Sequence, residues 1–175
     1  AYAVSPVQGG TLLTLLLDEV AGANAFADTS GNGNTATCSG GACPQAGQAG
    51  RFGQAVLFDG ADDLLALSGG LDLARGDYAL AAWFRSSSAA EQTIVGAAGA
   101  AARARLYLQS GGRLAFLDSP EAPGTTLVTA RPYNDGAWHH AAAVKQGGVL
   151  RLYVDGELAA TGSAAGSFAE ALNVS

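Results

Sequence analysis

Asp155-Gly156, set between the apolar runs 149–154 and 158–161, constrains the fold of this chain more than any other feature. Asp-Gly between two such runs signals a hairpin, because both central residues of a type I′ turn sit at φ > 0, which Asp tolerates and glycine adopts freely. Strand alternation then puts Leu150, Leu152 and Val154 on one face, Arg151 and Tyr153 on the other. A second hairpin is expected where 103–109 and 113–117 flank Ser110-Gly111-Gly112, and Gln146-Gly147-Gly148 closes another turn after 138–145. The stretch 78–85 alternates in the same way, with Tyr78, Leu80, Ala82 and Phe84 opposite Trp83. Shorter strands are expected at 55–58 and 64–67, and the run 11–17 reads as a strand buried on both faces. No long window carries large apolar residues at helical spacing, and 25 glycines break the chain at short intervals. The fold class is therefore all-β: many short strands joined by glycine turns, packed as a two-sheet antiparallel jelly-roll sandwich. The small residues at 96–102 read as a loop or a poorly specified edge.

Composition narrows the function. At 175 residues and 49% hydrophobic, the chain is expected to form a single domain over 1–175 with one continuous core. A net charge of −6 leaves no basic stripe to neutralise phosphates, so nucleic acid is not expected as a partner. The apolar run at 12–17 is too short to span a bilayer, and no membrane insertion is expected. Cys38 and Cys43 stand alone, without the further Cys or His ligands a metal site needs, and are expected to pair as a disulfide. That pairing places the chain in an oxidising compartment, extracellular or at the cell surface.

Three segments carry candidate chemistry. Asp28-Thr29-Ser30-Gly31-Asn32-Gly33-Asn34 is an oxygen-rich loop. Asp28, Asn32 and Asn34 are candidate ligands for Ca2+, a hard cation that takes oxygen donors; the competing reading is an Asx turn that spends the same side chains on its own backbone. Asp59, Asp62 and Asp63 crowd three carboxylates into one turn. Glycoside hydrolysis needs two carboxyls opposed across the sugar, roughly 5–10 Å apart, and neighbours in a turn do not provide that. The acidic turn is read as solvated, with Asp62 and Asp63 as candidate ligand contacts and Asp62 as a candidate for a cation site. Tyr133 and Asn134, in the polar loop Arg131–Asp135, are further candidate ligand contacts. His139 and His140 are adjacent on a strand and point to opposite faces, and no nucleophile is paired with either. Among the aromatics, Trp83, Tyr107 and Tyr153 have the parity to face outward as a platform for a sugar ring.

Six segments in order resemble a known family. They are Leu17-Asp18-Glu19, the 28–34 loop, 50–63, 78–84, Trp138-His139-His140-Ala141-Ala142 and 150–156. Together they resemble a laminin G-like domain of the concanavalin A-like lectin/glucanase superfamily, in its bacterial style. The resemblance implies a two-sheet jelly roll and frequent calcium. It also implies a non-catalytic role in adhesion, binding a glycan or an extracellular protein as part of a larger secreted or surface polypeptide. The glucan-hydrolysing relatives carry closely spaced Glu and Asp on one strand; no such pattern occurs here, so an enzyme is not expected. Relatives continue past the Asp-Gly hairpin into a last strand, whereas this sequence stops at Ser175. The sandwich is thus expected to lack that strand and to leave an edge open to strand pairing with another chain or a segment supplied from elsewhere. This gives the alternative reading, a structural subunit that assembles through the open edge without a small ligand.

Overall fold

The structure, a computed structural model, describes residues 10–67, 71, 76–96, 104–118 and 124–164. The described residues form β-strands with one 3-10 turn at Gly40–Ala42 and no α-helix. They group into two compact units, the first running to Leu71 and the second following it.

In the first unit, β1 (Ala25–Phe26), β2 (Ala36–Thr37) and β5 (Ala66–Leu67) make a small antiparallel sheet, while β3 (Gln45–Ala49) pairs with β4 (Gln54–Leu57). Phe26, Ala36 and Ala46 are its buried centre, with Leu15, Leu17, Val56 and Leu67 packed around them. Cys38 and Cys43 form the expected disulfide across the 3-10 turn, their Cα atoms 5.1 Å apart. The run at 11–17 departs from expectation. It is not a strand buried on both faces but an extended segment with one bridge, Leu15 to Asp28, and Leu12 and Leu16 are exposed. The reason lies in its carbonyls: those of Thr11, Leu12 and Thr14 accept hydrogen bonds from the 28–34 loop instead of from a neighbouring strand.

The second unit is the expected two-sheet antiparallel sandwich. Its strands are β6 (Tyr78–Arg85), β7 (Gln92–Gly96), β8 (Ala104–Leu108), β9 (Arg113–Asp118), β10 (Thr125–Pro132), β11 (Trp138–Gln146), β12 (Val149–Val154) and β13 (Glu157–Ser163). They form two four-stranded sheets, β10-β9-β8-β7 and β13-β12-β11-β6. Asp155 and Gly156 turn β12 into β13 at φ 52° and 88°, the positive values a type I′ turn requires. Between the sheets, Leu106, Leu108, Leu114, Phe116, Leu150 and Leu152 are fully buried, and Tyr78 meets Phe116 edge-on. Each such side chain contributes roughly 1.5–3 kcal/mol through burial.

Among the described residues, Asp118, Lys145 and Thr129 are the polar groups buried in this core. Asp118 on β9 is wholly buried and faces the other sheet, where Lys145 Nζ on β11 lies 3.2 Å from its Oδ2. The Tyr78 hydroxyl on β6 donates to its Oδ1 at 2.7 Å. Burial, reinforced by the hydrogen bond to Asp118, pushes the Tyr78 phenol far above its ordinary pKa, so it stays a donor. The small-residue run expected at 96–102 lies, after Gly96, outside the described residues, as does the chain end where a last strand is in question.

Candidate functional site

Strand register assigns the faces of the β13-β12-β11-β6 sheet. Lys145 opposite Tyr78, Ala143 opposite Leu80 and His139 opposite Phe84 point to the core; Trp138 opposite Arg85 and His140 opposite Trp83 point away from it. Ala142, one step along on the outward face, stands opposite both Ala81 and Tyr153. The outward face thus gathers Trp83, Trp138, His140, Arg85 and Tyr153 on three adjacent strands. Trp83 is 41% exposed, and its ring lies 5.3 Å from that of His140 at 54°. The Arg85 guanidinium sits 5.1 Å from the centre of the Trp138 ring. Beside them Ala79 and Ala81 are exposed and too small to fill the space above the sheet. Such a surface offers aromatic faces to a flat apolar group, and N–H donors to hydroxyls around it.

At the end of this sheet, His139 turns inward. Its Nδ1 lies 2.8 Å from Asp155 Oδ2 in the β12–β13 turn, and its Nε2 lies 3.1 Å from Asp135 Oδ1 in the loop before β11. The ring packs edge-on against Tyr133 and beside Phe84. Tyr133 and Asn134, candidate ligand contacts from the sequence, are built into this loop. Tyr133 is 5% exposed and accepts from Arg131 Nε through its hydroxyl, while Asn134 Nδ2 donates to the Ser88 carbonyl at 3.0 Å. Tyr107 is likewise buried.

Asp28, Asn32 and Asn34 do come together in one loop, but on the terms of the Asx reading. Asp28 Oδ1 accepts from the Thr14 and Ser30 amides, and Oδ2 from the Ser30 hydroxyl and the Asn34 amide. Hydrogen bonding from the Thr14 amide leads the causes that drive this carboxylate well below the usual range; desolvation opposes it, and the hydrogen bonds from Ser30 and Asn34 add to the lowering. Asn32 and Asn34 donate through Nδ2 to the Leu12 carbonyl. A cation needs lone pairs aimed at a common centre, and here N–H and O–H groups already occupy both Asp28 oxygens. As folded, the loop does not fit Ca2+.

The turn at Asp59, Asp62 and Asp63 fits better. One oxygen from each lies within 4.8 Å of the others. Asp59 Oδ1 accepts from the Ala61 amide and Asp63 Oδ2 from the Asp59 amide, which fixes two of the three carboxylates and leaves each a second oxygen. Sequence reasoning missed the outward grouping of Trp138 and His140 with Trp83, and the carboxylates flanking His139. Both depend on the pairing of β11 with β6 and on the return of the chain at Asp155, and no local motif reports either.

A comparison with known sequence families agrees with the architecture. A laminin G sequence profile, described as "Concanavalin A-like lectin/glucanases superfamily", matches residues 59–174. Among solved structures, the mouse laminin alpha1 chain, domains LG4-5, is similar at 22% identity with a TM-score of 0.44, over 63% of this chain and 33% of that one. The chain therefore spans about a third of the length of that structure. No curated protein matches it. With the profile covering well over half of its residues, the chain belongs to the laminin G-like family of the concanavalin A-like lectin/glucanase superfamily.

Proposed function

We propose that this protein is a non-catalytic binding module of an extracellular or cell-surface polypeptide, and that it takes carbohydrate on the outward face of the β13-β12-β11-β6 sheet. The observation that carries the reading is the pairing of exposed Trp83 with His140, next to Trp138 under Arg85. A sugar ring stacks its apolar face on an indole and directs its hydroxyls to donors at the edge, and His140, Arg85 and Tyr153 stand at that edge. The family supports a binding role, because its members bind glycans or proteins. A hydrolytic role lacks support: the three carboxylates of the Asp59 turn converge on one another, whereas hydrolysis needs two acids on opposite sides of a substrate.

Calcium, frequent in this family, is assigned in this reading to Asp59, Asp62 and Asp63 and not to Asp28. The test is a glycan array followed by calorimetry on the wild type and Trp83→Ala, each with Ca2+ and with chelator. A glycan whose affinity falls at least tenfold in Trp83→Ala supports the platform. Binding confined to matrix proteins, or a glycan indifferent to Trp83, overturns it. A chelator effect abolished by Asp62→Asn supports the cation assignment, and chelator with no effect on binding or melting removes it.

A further inference from the structure

His139 is held between two carboxylates, one at each ring nitrogen, at 2.8 Å and 3.1 Å. A neutral imidazole has one N–H and one lone pair, and an ionised carboxylate only accepts. Both contacts can be hydrogen bonds only when the ring carries both protons; a neutral ring turns a lone pair toward one of the two carboxylates. Each carboxylate is also anchored by a backbone amide. Asp135 Oδ1 also accepts from the Ala137 amide at 2.9 Å, and Asp155 Oδ1 from the His140 amide at 2.9 Å. The imidazole is 11% exposed, enclosed by Phe84 of β6 and Tyr133 of the preceding loop.

The charged groups around this cluster are few. Arg131, at the end of β10, lies over the Tyr133 ring and interacts with Asp155 and with Glu157 of β13; β6 presents Phe84 here, and its Arg85 faces the other way, over Trp138. Burial alone lowers the tendency of His139 to hold its second proton. The hydrogen bonds and charges of Asp155 and Asp135 outweigh it, and the group sits above its ordinary pKa of 6.5.

We propose that His139 is a proton-operated clamp. In its charged form it ties the loop at 131–137 and the Asp155-Gly156 turn to the start of β11, and on losing its proton it releases one of them. The clamp is closed at acidic pH and opens as pH rises through the folded pKa. Trp138 and His140 flank His139 on β11, so release loosens one end of the aromatic face; this regulatory consequence rests on the binding role proposed above, while the clamp itself does not.

The test needs no ligand, so its failure and that of the binding role are separate results. NMR titration of the His139 ring is expected to give a midpoint above that of an unperturbed histidine, lowered in Asp135→Asn. Hydrogen exchange at the Ala137 and His140 amides, corrected for intrinsic base catalysis, is expected to lose protection by up to about tenfold per pH unit as pH rises from the ordinary histidine value to that midpoint, and to level off above it. In His139→Gln, whose side chain does not titrate, the pH step is expected to vanish. A midpoint at or below the ordinary value, or the same exchange profile in His139→Gln as in the wild type, overturns the proposal. Should His139→Gln fail to fold, Asp135→Asn decides alone: an unmoved midpoint refutes the clamp.

Discussion

Replacing Lys145 with Met removes the cation that faces a wholly buried Asp118 while keeping the length of the side chain. Lys145 Nζ and Asp118 Oδ2 are 3.2 Å apart, and the Lys145 and Asp118 side chains are 4% and 0% exposed, so water does not take the place of the lost partner. Removing one member of such a pair costs about 3–5 kcal/mol, because the surviving charge is left uncompensated. Against a typical domain stability of about 5–15 kcal/mol, that is a large share. Removing the whole cluster is expected to behave differently. Asp118→Leu added to Lys145→Met removes the acceptor of the Tyr78 hydroxyl hydrogen bond, a cost of about 1–3 kcal/mol, and Tyr78→Phe then removes the donor as well. The triple variant is expected to recover most of the loss. Both tryptophans, Trp83 and Trp138, lie in the second unit, so urea unfolding followed by their fluorescence reports on this unit. A Lys145→Met variant that loses less than about 1 kcal/mol, with unchanged urea dependence, refutes the reasoning. So does a triple variant no more stable than the single one.

Gly112→Ala is expected to destabilise the second unit by about 1–3 kcal/mol, since the residue sits at φ 81° and a Cβ there overlaps the Asn134 side chain; the same fluorescence transition measures it. In the first unit, the Asp28 carboxylate is held below its ordinary pKa of 3.8, chiefly by the Thr14 amide. Its contribution is therefore present above that value and lost as pH falls below it toward the folded pKa. Exchange at the Thr14, Ser30 and Asn34 amides is expected to lose protection on acidification in the wild type, and to be already fast and insensitive to pH in this range, after correction for intrinsic rates, in Asp28→Ala.

Much of the second unit is legible in the sequence because its signals are local. Asp155-Gly156 fixes a hairpin, and with it the pairing of β12 on β13 next to the turn, as far as the register shift between Leu152 and Tyr153; the alternation at 78–85 gives β6 residue for residue. Other elements are hidden for a physical reason. β10 is not among the strands expected from the sequence: Thr129, whose hydroxyl accepts from the Leu114 amide, occupies a core position that an apolar pattern cannot reveal. Lys145 and Asp118 look like surface residues in isolation, since a buried charge is tolerated only with its partner, and that partner is on the other sheet. At 11–17 the error runs the other way. Apolar residues promise burial, but whether a strand forms depends on who accepts and donates along its edge, and here the side chains of the 28–34 loop do so. Asp28, Tyr133 and Asn134 are candidate ligands by residue type, and type does not say whether a polar group is spent inside the fold.

The alternation of β11 has a consequence for how this chain can change. Trp138 and His140 are displayed outward, while His139, between them, is the group that senses protons. Display and sensing are thus threaded on three consecutive residues and share one backbone. A one-residue slip of β11 against β6 exchanges the two roles, sending the aromatic groups into the core and the imidazole to the surface. Variation here is confined to side-chain replacement at fixed length, and a lineage can retune what this face holds, or the pH at which it loosens, without altering the length of the strand.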